Sequence, residues 1–87
     1  MYSVEVMLQN ESGLHARPAS QFVFISSKYK STITVVKDGK EYNGKSILGI
    51  LSMGAIKGVK LIIKAEGEDE KEAVEALVSI INSNFGE

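Results

Sequence analysis

The chain has no cysteine and no tryptophan, and only one proline and one histidine. Without cysteine, neither a disulfide framework nor a thiolate metal centre can form. With a single histidine, a site built from several imidazoles is excluded too, and no metal or other cofactor is expected. An excess of one charge is also missing. Ten basic residues stand against eleven acidic ones, a net charge of −1, whereas a direct nucleic-acid binder normally carries a basic stripe. No apolar run approaches the roughly 18 residues needed to cross a bilayer, so membrane insertion is not expected. Met1-Tyr2-Ser3-Val4-Glu5 has neither a basic n-region nor an apolar h-region, and no signal peptide is expected. What is left is a cytoplasmic single domain over residues 1–87, with 44% apolar residues to build a thin core.

Residues 2–8 alternate, with Tyr2, Val4, Val6 and Leu8 on one side and Ser3, Glu5 and Met7 on the other. That period predicts a half-buried strand. After the polar turn 9–13 a helix can start at Ala16, with Pro18 in its first turn, where a missing N–H does no harm. Ala19, Phe22, Val23 and Ser26 form its inner stripe. The Ser26 hydroxyl is expected to bond back to the preceding turn. Thr32–Lys37 is β-branched and reads as a strand, Asp38-Gly39 as a hairpin turn, and Lys40–Asn43 as the return strand.

Ser46 is a plausible N-cap for a short helix from Ile47 to Met53. Val59–Glu66 reads as another strand. Asp69 and Glu72 have the spacing of a capping box, ahead of a helix with the stripe Ala73, Val74, Leu77, Ile80 and Ile81 that ends at Phe85-Gly86. The order β-α-β-β-α-β-α, with strands of alternating polarity, predicts an α+β fold. Its antiparallel sheet has helices on one face and water on the other.

His15 stands in Gly13-Leu14-His15-Ala16-Arg17-Pro18-Ala19, where strand gives way to helix. To carry a phosphoryl group, a histidine needs one unprotonated ring nitrogen, positive partners for the product, and exposure so the group can be handed on. An imidazole exchanges its proton near pH 7. The N–H groups and dipole of a helix start favour negative charge. Arg17 adds a cation with forked geometry, and Gly13 lets the chain turn tightly. Composition by itself favours a plainer reading, a histidine that only caps a helix.

The segment Asn10-Glu11-Ser12-Gly13-Leu14-His15-Ala16-Arg17-Pro18-Ala19 resembles the active-site segment of the HPr family. These are histidine-containing phosphocarriers of the bacterial phosphoenolpyruvate-dependent sugar phosphotransferase system. The resemblance spans the whole chain. Lys45-Ser46-Ile47-Leu48-Gly49-Ile50-Leu51-Ser52-Met53-Gly54 resembles the regulatory-serine helix of the Gram-positive members.

The resemblance implies an open-faced sandwich, with four antiparallel strands and three helices on one face. His15 would accept a phosphoryl group on Nδ1 from phospho-enzyme I and pass it to the IIA domain of a sugar permease. Arg17 would stabilise the charged state. Such a protein is a carrier rather than an enzyme, and works as a monomer. Ser46 would be phosphorylated by HPr kinase/phosphorylase. That would weaken enzyme I binding and favour a catabolite-control repressor of LacI type, linking the chain to carbon catabolite repression. Ile47, Leu48 and Leu51 would form an apolar docking patch.

Leu48 and Leu51 replace the methionines usual in Gram-positive members, which keeps the patch apolar but less adaptable. Phe24 and Ile25 fall off the inner stripe, where polar residues are common in the family. Phe24, one turn beyond Ser20 and two beyond Arg17, is expected to share the face that flanks His15 and to extend the docking surface together with Ser20. Capping alone would also account for Ser46, and a turn residue accounts for Ser12 better than a second modification site does. Three other readings compete. One is a regulatory HPr homologue of the Crh kind, which lacks the active histidine that this chain keeps. Another is the nitrogen-type branch, disfavoured by the intact Ser46 segment. The third is an unrelated α/β binding module with a chance motif.

Overall fold

The alternation at the start of the chain decides where the core lies. In the computed structural model, which describes residues 1–86, β1 (Tyr2–Met7) pairs antiparallel with β4 (Lys60–Glu66), with Val4 opposite Ile63 and Val6 opposite Leu61. β4 also pairs antiparallel with β2 (Thr32–Lys37), with Ile33 opposite Ala65 and Val35 opposite Ile63. β2 turns into β3 (Lys40–Asn43) through Asp38 and Gly39, both with positive φ (53° and 79°), the backbone that a two-residue type I′ hairpin requires. The sheet order is β1-β4-β2-β3. Because side chains alternate, Val6, Ile33, Val35, Leu61, Ile63 and Ala65 all fall on one buried face.

Three helices cover that face: α1 (Ala16–Ser26), α2 (Ile47–Ser52) and α3 (Glu70–Asn82). Ala19 and Phe22 of α1, Ile50 of α2, and Ala73, Val74, Leu77 and Ile81 of α3 complete the core. A 3-10 turn at Asn84–Gly86 follows and folds Phe85 back into it. The architecture is the expected open-faced sandwich. The strand ends and the bounds of α2 agree with the sequence reading to within one residue, but the last helix stops at Asn82, short of the expected Phe85-Gly86, because the backbone turns to positive φ at Asn84 and Phe85. Leu8 lies just past β1, yet it exchanges backbone hydrogen bonds with the segment before β4, from its N–H to Val59 O (3.0 Å) and from Gly58 N–H to its carbonyl (2.7 Å).

Two local expectations fail, each for a tertiary reason. Asp69 occupies the N-cap of α3 but makes no capping bond. Its carboxylate instead accepts the Lys30 N–H (2.9 Å), the Ser31 N–H (2.9 Å) and the Ser31 hydroxyl (2.5 Å), tying the α1–β2 turn to the start of α3. Gly67 makes this approach possible, since a Cβ there would lie 2.8 Å from Ser31 Cα. Among the described residues Glu72 closes no capping box; Glu70, at the first position of the helix, accepts the Gly67 N–H instead (3.1 Å). The second failure is Ser26. It is fully buried, and its hydroxyl has no partner among the described residues, so the back-bond to the preceding turn does not form.

An unsatisfied buried hydroxyl carries its full desolvation cost. Ser26→Ala is therefore expected to stabilise the domain by about 1 kcal/mol, read as a higher midpoint in urea with an unchanged slope. Asp69 gives a pH prediction. The Ser31 hydroxyl, then the Lys30 N–H, hold its carboxyl at about 2, below the ordinary 3.8. A depressed carboxyl contributes stability that is fully present above 3.8 and is lost as pH falls towards 2. Asp69→Asn is expected to lower the melting temperature at pH 7. It should also flatten the loss of stability between pH 4 and pH 2, measured by melts across that range.

Candidate functional site

His15 is delivered by a loop that is held from inside and from below. The Asn10 side chain is buried, and its amide donates to Gly13 O (2.9 Å) and Ser12 Oγ (3.2 Å), while the Gly13 N–H returns to Asn10 O (3.2 Å). In the sequence Asn10 only opens the segment that resembles the family motif, and nothing there marks it as the residue that closes the loop. Gly13 has φ +61°, and a Cβ there would lie 2.5 Å from Ala55 O. Only glycine permits both that backbone and that approach. The next residue then closes the contact, with the Leu14 N–H donating to Ala55 O at 3.0 Å.

Leu14, Pro18 and Ala19 are buried, and between them His15, Ala16 and Arg17 are left facing solvent. His15 is the N-cap of α1, with extended backbone (φ −86°, ψ −166°), and its carbonyl accepts the first helical bond from Ala19 N (2.9 Å). Its ring makes no capping bond, so the plain capping role is not the one the imidazole plays. Among the described residues the N–H groups of Ala16 and Arg17 meet no acceptor, and the Arg17 guanidinium has no ion-pair partner. An exposed nucleophile thus stands beside two open backbone donors, the positive end of a helix and an uncommitted cation. Chemically this is a place for a group of negative charge carried on a nitrogen.

α2 lies alongside. The Ser46 side chain is its N-cap and accepts the Gly49 N–H at 3.0 Å. The Lys45 ammonium donates to Tyr29 O (2.6 Å), fixing the start of α2 near the end of α1. Ile50 and Met53 point into the core, which leaves Ile47, Leu48 and Leu51 at 43%, 80% and 37% exposure. Leu51 shares an open depression with Ser12, Leu14, His15, Ala16, Gly54, Ala55 and Ile56; Ile47 and Leu48 do not line it. Ile56, 67% exposed, adds an apolar wall there. Its signal in the sequence is slight, a lone isoleucine between Gly54 and Gly58. On α1, Ser20 is exposed and Phe24 is 66% exposed, with the Lys28 ammonium 4.7 Å from the centre of its ring.

Comparison with known proteins shows the family and the fold. Residues 2–83 match the family model for the PTS HPr component phosphorylation site. The phosphocarrier protein HPr of Neisseria meningitidis is 41% identical over 85 residues, covering 98% of this chain and 93% of that one. The HPr of Vibrio cholerae is 42% identical over 82 residues, covering 94% and 96%. The crystal structure of an HPr from Thermoanaerobacter tengcongensis superposes with a TM-score of 0.97 at 50% identity, covering 100% of this chain and 98% of that one.

The Gly13 contact yields a prediction. Gly13→Ala places a methyl group against Ala55 O in a backbone that alanine resists. It is expected to cost more than about 1 kcal/mol of stability and to move the His15 ring resonances, checked by denaturant melts and proton–nitrogen NMR.

Proposed function

The chain belongs to the HPr family of phosphocarriers of the phosphotransferase system, and from that premise we propose that His15 is its phosphoryl relay. The neutral Nδ1 attacks the phosphorus of the phosphohistidine on enzyme I. One P–N bond forms as the other breaks, and enzyme I leaves with a free imidazole. Nδ1 of His15 later gives the same group to a histidine of a IIA domain. The one observation that carries this reading is the exposed His15 residue at an open helix start beside Arg17, which has no ion-pair partner among the described residues. Phosphoryl transfer depends on positioning and on charge stabilisation. Here the Ala16 and Arg17 N–H groups and the Arg17 guanidinium supply the charge stabilisation, and Gly13 and Asn10 the positioning. The protein turns over no substrate of its own, acts in the cytoplasm as a monomer, and needs no cofactor.

Partners dock on the apolar ground beside the ring, Ile47, Leu48 and Leu51 from α2, with Ser20 and Phe24 from α1. Ser46 is the regulatory site of the Gram-positive pattern. Its hydroxyl takes the γ-phosphoryl of ATP from HPr kinase/phosphorylase, releasing ADP. Phosphate at a helix start is electrostatically tolerated, so its effect is on docking. Enzyme I is repelled and a LacI-type repressor gains a charged contact, which is the link to carbon catabolite repression.

Incubation with enzyme I and phosphoenolpyruvate is expected to give an acid-labile, base-stable adduct that disappears in His15→Ala. An adduct that persists in that variant contradicts the assignment. Arg17→Gln should lower kcat/KM by about 100-fold, the scale of losing one charge-stabilising group at a transition state. Ser46→Asp and Phe24→Ala should raise KM for enzyme I while leaving the melting transition in place.

A further inference from the structure

We propose that Lys57 is a charge-masking residue for His15: by pairing with Glu11 it shields the phosphoryl-bearing loop from a carboxylate that would otherwise oppose a phosphoryl dianion. The inference rests on the reading of His15 as the phosphoryl acceptor. The Lys57 ammonium donates to the Glu11 carboxylate at 2.7 Å, across 46 residues of sequence. Glu11 adjoins Ser12 and stands four residues before His15; Lys57 adjoins Ile56. Ser12 and Ile56 both line the depression that holds His15, so the pair bridges the two loops that form its walls. The other ion pairs among the described residues lie elsewhere. One is at the β2–β3 turn (Lys37–Asp38), one on the outer sheet face (Lys64–Glu41), and one at the N-terminus (Met1–Glu70).

Folding does not account for this pair. Both side chains are exposed, and exposed ion pairs contribute little to stability. Lys57 also holds the Glu11 carboxyl below its ordinary range through hydrogen bond and charge, so Glu11 stays ionised. The loop that must accept a dianion therefore carries a permanent negative charge, and the structure sets one cation directly on it. Arg17, which has no ion-pair partner among the described residues, is available for the phosphoryl group itself.

Three roles for Lys57 predict different results. Masking acts on the phosphorylated protein alone. A mechanical strap would need both partners equally. A contact with enzyme I would alter rates only, because the equilibrium constant for phosphoryl exchange depends on the separated proteins and not on their complex. The experiment is that equilibrium constant, measured with enzyme I at low and high salt for the wild type, Lys57→Gln, Glu11→Gln and the double variant, each checked by thermal melt.

Masking predicts a shift of about two- to fivefold away from phosphorylated protein in Lys57→Gln, the size of one exposed charge acting on a dianion. It predicts no loss in Glu11→Gln, a double variant within about twofold of wild type, and a smaller effect at high salt. An unchanged constant in Lys57→Gln overturns the proposal, as does an equal loss in both single variants or a loss that the double variant keeps. If the wild type itself takes no phosphoryl group, the reading of His15 falls. If the wild type is charged and Lys57→Gln holds its constant, masking falls alone.

Discussion

The Leu14 N–H reaches the Ala55 carbonyl only because Gly13 has no Cβ to hold the two loops apart. That one backbone contact sets the rest of the site. It buries Leu14 and brings Ile56 and Leu51 up to the ring, and the chain enters α1 with His15 turned outward. The Asn10 amide closes the same loop from within. Among the described residues the imidazole makes no bond that fixes it, so its placement comes from the backbone beneath it. On the proposed relay role this arrangement suits the ring, since a side-chain bond would have to break on every transfer.

α2 separates two tasks over six residues. Ile50 sits in the core with Met53 just beyond, and the rest of the helix surface leaves Ile47 and Leu51 part-exposed and Leu48 mostly exposed. Exposing three large apolar side chains gains nothing for folding. Ser46 at its start is satisfied by Gly49, so the helix stands without modification and a phosphate there adds charge rather than structure.

The features legible in the sequence are those that neighbours in sequence determine. Alternation over residues 2–8, β-branching over 32–37, the Asp38-Gly39 turn and the apolar stripe of the last helix each depend on local geometry, and each element lies where its pattern points. A helix as short as α2 cannot hide all of its apolar residues, but that Ile50 is buried and Leu48 exposed is settled by the fold. What was hidden depends on distant partners. Asp69 has the spacing of a local cap yet bonds to Ser31, 38 residues away, because the α1–β2 turn offers two N–H groups and a hydroxyl together. Ser26 has a plausible local acceptor and does not use it. Ile56 and Lys57 gain meaning only when their loop folds against the one before His15. The motif singled out His15, but not what holds it or which charges surround it.

The sheet order has a further consequence, for the time at which the site comes into being. β1, which leads into the His15 loop, pairs with β4 and not with any strand made sooner. The loop's own anchor, Ala55, lies just ahead of β4. Contacts so distant along the chain form late, after the cost of closing a long loop has been met. During synthesis, a chain that has emerged only as far as β3 already contains His15 and Arg17 but has nothing to seat them on. If His15 is the phosphoryl acceptor proposed above, competence to receive phosphate arrives with closure of the whole domain, and an unfinished chain would not draw phosphoryl groups away from finished ones.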